Sequence, residues 1–173
     1  MPLTAHADCL LVVVDAQPGF GSDEDVLARA RWLAALARAL EVPVLITEEE
    51  PEHNGPTHAG FGDAPVFTKP TFGLAGTPEI LDAVRATGRN TAVLVGFETD
   101  VCVYQSAVGL QDAGLRVIVA EDAVSSPGEM HARGLDRLRD AGVALTHCKA
   151  LAYEWVRTVE GAAVLPRPAP FAL

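Results

Sequence analysis

The chain has 173 residues, 49% of them hydrophobic and 21% charged, with a formal net charge of -10. That length suits one domain with a sizeable core, and the balance is that of an ordinary globular protein. The acidic surplus, without any Lys/Arg cluster, argues against nucleic acid or an anionic membrane surface as a partner.

The N-terminal stretch MPLTAHADCLLVVVDAQPGF has no basic n-region and no plausible cleavage site, so no signal peptide is expected. No apolar run is long enough to span a bilayer. Cys9 to Val14 is a β-branched run ending at Asp15, the pattern of a strand buried on both faces. Ser22 to Asp25 supplies an acidic cap for a helix over Val26 to Leu40. Val42 to Thr47 is a second strand, and Glu48 to Gly62 a loop rich in Pro, Gly, His and Glu. Pro65 to Thr68 gives a short third strand, and Thr77-Pro78 opens a helix with a Thr cap and Pro at its first position.

Thr91 to Gly96 is the next core strand, followed by a helix from about Asp100 to Ala113 that Gly114 closes. Leu115 to Ala120 is another strand, Ser126 to Ala141 a helix, Val143 to Thr146 a strand and Leu151 to Val159 a last short helix. The Pro-rich tail, from about residue 160, is expected to lack regular structure and to stay loose or pack on a neighbour. This alternation predicts an α/β protein: a single domain over residues 1–173, with a central, mostly parallel sheet in a three-layer α/β/α arrangement.

Ligands of such folds sit at the carboxyl ends of the strands. Asp15, Lys69 and Cys102 all fall there. A helix N-terminus and a nearby ammonium both favour a thiolate, and a carboxylate can accept the thiol proton. Together the three residues make a workable nucleophile, base and electrostatic stabiliser. Singly, each has a plainer reading: Asp15 as a turn residue, Lys69 as a surface lysine, Cys102 as a packed small hydrophobe. Cys9, Cys102 and Cys148 are too few and scattered for a disulfide framework and lack C-x-x-C spacing, so a reducing cytoplasm is expected. His131 is expected to be exposed on its helix. His147, beside Cys148 on a strand, points away from it.

The motifs VVVDAQPGF, FTKPTFG and GFETDVCVYQSA, in this order, are similar to those of the isochorismatase-like cysteine hydrolases, and AGLRVIVAEDAVSS fits the strand after the nucleophile helix. The resemblance runs from about Cys9 to Val159. It implies an isochorismatase-like fold, a catalytic triad of Asp15, Lys69 and Cys102, a cis peptide between Phe97 and Glu98, and an oxyanion hole from the backbone N–H groups of Glu98 and Cys102. The cysteine implies the branch that cleaves amides or ureides, related to nicotinamidase and N-carbamoylsarcosine amidohydrolase. The implied activity is hydrolysis of a small amide-like C–N bond through a Cys102 thioester. The alternative is a non-catalytic, oligomeric member that binds a metabolite or reacts with oxidants.

Nicotinamidases hold a metal through a D-x-H arrangement. Glu48, Glu49, Glu50, His53 and His58 are possible ligands here, but that spacing is missing, so neither metal nor cofactor is expected. The TEEEPEHNGPT loop and KALAYEWV instead resemble a less characterised branch. Gln17, Phe20, Phe72 and Tyr104 are candidate walls of a small, largely apolar pocket, and Trp155 of a pocket or interface, although core packing accounts for the aromatic side chains as well. Glu98, where nicotinamidases carry a small residue, either hydrogen-bonds within the sheet rim or faces a partner. The implied partners are a small-molecule substrate and further copies of the chain.

Overall fold

The apolar run after Asp8 forms strand β1 (Cys9–Val14), in which every residue is buried. The computed structural model describes residues 3–171. Side chains alternate across a strand, and β1 feeds two cores in this way. Cys9, Leu11 and Val13 pack on one face with Leu33, Leu36 and Trp155. Leu10, Val12 and Val14 pack on the other with Ile80, Leu110 and Leu138. Burying each such Leu or Val contributes about 1.5–3 kcal/mol, so the two cores hold the sheet between two helical layers.

The other strands are β2 (Val44–Glu49), β3 (Val66–Lys69), β4 (Thr91–Phe97), β5 (Arg116–Ser125) and β6 (Ala144–Thr146). They form one six-stranded sheet in the order β3-β2-β1-β4-β5-β6. Every pairing is parallel. The helices are α1 (Glu24–Ala39), α2 (Pro51–Asn54), α3 (Pro78–Ala86), α4 (Tyr104–Asp112), α5 (Met130–Asp140) and α6 (Cys148–Val156). Asp23 caps α1 by accepting from the Asp25 and Val26 N–H groups. The chain leaves β1 for β2 on one side and later returns to β4 on the other, so the strand order reverses beside β1. Folds of this kind bind their ligands at such a reversal, here at the carboxyl ends of β1 and β4.

Several expected boundaries shift for identifiable reasons. The helix expected from Asp100 divides into a π-helical turn, Thr99–Val103, and then α4. Strand β5 continues past Ala120 to Ser125 because a bulge carries it on. Its register with β4 jumps from Leu94 opposite Val119 to Gly96 opposite Val124. Helix α5 starts at Met130 rather than Ser126. Helix α6 starts at Cys148 rather than Leu151, since the Asp122 carboxylate on the bulge accepts the Cys148 N–H at 2.8 Å. Thr77 precedes α3 without a side-chain cap bond, its hydroxyl lying instead 3.2 Å from that of Thr71. Trp155 is a core residue, 1% exposed, and not an interface wall. The Pro-rich tail packs on its own chain: Trp32 Nε1 donates to the Pro166 carbonyl at 2.8 Å, and Phe171 meets the Trp32 ring edge-on at 4.8 Å. No helix among the described residues is long and apolar enough to cross a membrane.

Gly96 is the tightest point between β1 and β4. Its φ is +115°, and a Cβ there would lie 1.9 Å from the Val14 carbonyl oxygen. The obstructing atoms are Val14 main chain, fixed in β1, which leaves nothing to yield. Gly96→Ala is therefore expected to cost more than about 4 kcal/mol, beyond the usual range for one substitution. Soluble yield and the urea unfolding midpoint read this out, and an unchanged midpoint contradicts it.

Candidate active site

Three strand ends bring Asp15, Lys69 and Cys102 together. Asp15 directly follows β1, in the left-handed region at φ 44°, which Asp tolerates better than most residues. Its backbone N–H still donates to the Thr47 carbonyl of β2, while its own carbonyl accepts from Gln17. Lys69 is the last residue of β3, in register with Glu49 of β2. Cys102 lies in the π-helical turn after β4, and the Phe97–Glu98 peptide that leads into this turn is cis. Asp15 and Lys69 are 0% exposed and Cys102 1%, so the charged pair is sealed from bulk water.

Lys69 Nζ forms an ion pair with Asp15 Oδ2 at 2.5 Å. The same ammonium donates to the Thr71 carbonyl at 2.9 Å. Asp15 Oδ1 accepts the Thr47 hydroxyl at 2.8 Å. The Cys102 thiol also hydrogen-bonds the Asp15 carboxylate. One carboxylate thus faces an ammonium, a hydroxyl and a thiol.

Burial pushes the Asp15 carboxyl above its ordinary value, against the opposing pull of Lys69, Thr47 and Cys102. The Cys102 thiol is pushed up to about 12, first by burial and then by the Asp15 charge. Lys69 and the Glu98 backbone N–H, which faces the sulfur, pull it down by less. A buried sulfur beside a carboxylate stays protonated, because two adjacent anions share one cation. The thiol can lose its proton by passing it to Asp15.

The other expected site residues fall into different roles. Gln17 is fully buried and its amide clamps main chain: Nε2 donates to the Glu49 and Gly55 carbonyls, and Oε1 accepts the Glu49 N–H. Phe20 packs against the α1-side core. Tyr104 lies beneath the Arg137 guanidinium, 3.8 Å from its ring centre. Phe72 is 53% exposed, three residues beyond Lys69. Glu98 is half-buried, and burial followed by the Asp100 charge raises its carboxyl above the usual range. Two hollows, of about 400 and 460 Å³, lie elsewhere, between α1 and the tail and against α6.

The acidic loop disperses its metal-ligand candidates. Glu48 accepts both the N–H and the hydroxyl of Thr57, Glu49 accepts from Asn54, and the His58 ring bonds the Gly21 carbonyl. His53 is exposed, with its ring 3.7 Å from Glu50. Among the described residues no three such side chains gather to hold an ion.

Sequence reasoning missed Thr47 and misplaced His131. A Thr closing an apolar strand beside β1 was the signal for the first. His131 is half-buried and bonded to Thr99 rather than free on the surface. His147 directly precedes α6 without a side-chain cap bond, and its ring Nε2 lies 2.9 Å from a Glu121 carboxylate oxygen. Thr47→Val keeps the volume but removes the donor to Asp15 Oδ1. It is expected to cost about 1.5–3 kcal/mol, as for other hydrogen bonds to charged groups, with Thr47→Ser largely restoring it. Urea unfolding at neutral pH checks this, and equal midpoints for the Val and Ser variants contradict it.

The isochorismatase domain model matches residues 9–149. Isochorismatase domain-containing protein 2 of Rattus norvegicus is 34% identical over 134 residues, covering 76% of this chain and 64% of that protein. The chain spans less than two thirds of the length of the rat and Xenopus laevis relatives it matches. Among solved structures, the Escherichia coli YcaC gene product, described as an octameric hydrolase of unknown specificity, superposes with a TM-score of 0.85 at 26% identity. That likeness covers 94% of this chain and 88% of YcaC. The MAR1 ribonuclease of Caenorhabditis elegans superposes with a TM-score of 0.84 at 25% identity, covering 98% of this chain and 97% of that one.

Proposed function

The chain belongs to the isochorismatase family of hydrolases, and from that premise we propose that it cleaves a small amide-like C–N bond through a Cys102 thioester. One observation carries this reading: a carboxylate, an ammonium and a thiol, far apart in sequence, meet around Asp15 at the strand ends.

In the proposed reaction, Asp15 takes the thiol proton as Cys102 Sγ bonds to the carbonyl carbon. The carbonyl oxygen becomes an oxyanion held by the backbone N–H groups of Glu98 and Cys102. The C–N bond breaks, and the amine leaves with the proton from Asp15. Water then attacks the thioester, giving a proton to Asp15, and the acid departs as that proton returns to sulfur. The summed change is amide plus water to acid plus amine. Lys69 holds Asp15 and offsets the single negative charge that moves between carboxylate and sulfur.

A thiol kept protonated by its surroundings speaks against the redox-sensing alternative, which needs a resting thiolate. The ribonuclease likeness is weighed against a net charge of -10, which repels a polyanion. Octameric YcaC supports assembly into a homo-oligomer, and the free cysteines fit a reducing cytoplasm. The test is ammonia or amine release from a panel of small amides and ureides, with single-stranded RNA as a control. Release from at least one amide supports the proposal. RNA cleavage with a silent amide panel overturns it.

A further inference from the structure

The turn that carries Cys102 is braced from one side by α5. Gly134 lets that helix approach so closely that a Cβ would come within 2.8 Å of the Asp100 nitrogen. Arg137 donates to the Asp100 carbonyl at 3.3 Å, and the Ser126 hydroxyl, just before α5, donates to Asp100 Oδ1 at 2.6 Å. The deepest contact is one residue earlier. Thr99 is 0% exposed, and a 2.9 Å hydrogen bond joins its Oγ1 to Nδ1 of the half-buried His131.

Thr99 follows Glu98, whose N–H faces the sulfur and whose carbonyl accepts from Val101 and Val103 across the turn. A shift at Thr99 therefore moves the sulfur and its backbone donor together. A buried hydroxyl needs a partner, and His131 supplies it from a helix rather than from a loop. We propose that Thr99 and His131 are positioning residues whose shared hydrogen bond aims Cys102 at Asp15. The inference rests on the reading of Cys102 as the nucleophile. Neither residue touches the reacting atoms; both act through the turn.

The test is the rate of Cys102 alkylation by iodoacetamide, followed by intact-mass and peptide-mapping measurements, with thermal melting as a check on folding. While Asp15 is present, alkylation at neutral pH needs the sulfur in line with the carboxylate that takes its proton, because a misaligned Asp15 keeps its charge and still opposes a thiolate. His131→Ala and Thr99→Val are each expected to slow it about tenfold, a modest share of what misplacing a reacting group costs. His131→Asn and Thr99→Ser, which keep a polar atom near the same place, are expected to restore most of the rate. The Thr99→Val/His131→Ala double variant is expected to lose no more than either single one, since both remove the same bond. Should His131→Ala fail to fold, Thr99→Val against Thr99→Ser carries the test. Single variants that react as fast as the unmodified chain, or faster, overturn this inference alone. An unmodified chain that does not alkylate at Cys102 overturns the nucleophile reading, and the inference falls with it.

Discussion

Cys102→Ala is expected to abolish amine release, with a fall on the order of 10⁴-fold or more, as for other enzymes that lose a covalent nucleophile. The loss should fall on kcat. The side chain is small and almost fully buried, and an Ala leaves Asp15 and Lys69 paired at 2.5 Å. The variant should fold, and it should bind substrate nearly as before. Steady-state kinetics with circular dichroism checks this. Residual turnover within tenfold of the unmodified chain would mean that Asp15 activates water directly and that the sulfur is a bystander.

Asp15→Asn is expected to separate two properties that the intact site couples. Turnover should drop about 10²–10⁴-fold, the usual worth of a positioned general base. The thiol should become easier to ionise. Asp15 contributes to the Cys102 value of about 12 in one direction only, upward: its charge repels a thiolate, and its oxygen accepts the thiol hydrogen bond. Lys69 lowers it and remains in place. With the carboxylate gone, its repulsion of a thiolate is lost while the attraction of Lys69 stays, so thiolate forms at lower pH. Each unit of that fall is about a tenfold gain in thiolate below the new pKa. Ultraviolet titration of the thiolate, mapped by alkylation, reads the shift. A thiol that titrates no lower in Asp15→Asn contradicts the arrangement. In the intact chain the sign is reversed at the acid end: Asp15 must be ionised to take a proton. Activity should therefore fade as pH drops through its raised pKa, sooner than for an ordinary carboxyl.

Much of the architecture was legible in residue patterns. The run Cys9–Val14 could only be a doubly buried strand, and the alternation of such runs with amphipathic segments called for a parallel sheet, which the six parallel strands bear out. Asp15, Lys69 and Cys102 were expected at strand ends, and there they lie. The π-helical form of the Thr99–Val103 turn was not legible, because apolar spacing over five residues does not separate it from a first α turn. Nor was the extension of β5, which depends on a bulge opposite Gly96. Sequence weighed the helix start and Lys69 as thiolate-forming influences, but could not weigh burial, which proves larger. Thr47 and His131 escaped because their roles depend on neighbours 32 residues away in each case.

The most direct measurement is rapid quenching of the protein with a reactive amide or its ester analogue, followed by intact-mass spectrometry and peptide mapping. The account predicts a transient adduct of the acyl fragment alone on Cys102, formed and lost at rates compatible with turnover and absent from Asp15→Asn. Turnover proceeding with no adduct at any time, or an acyl group carried on another residue, would contradict it.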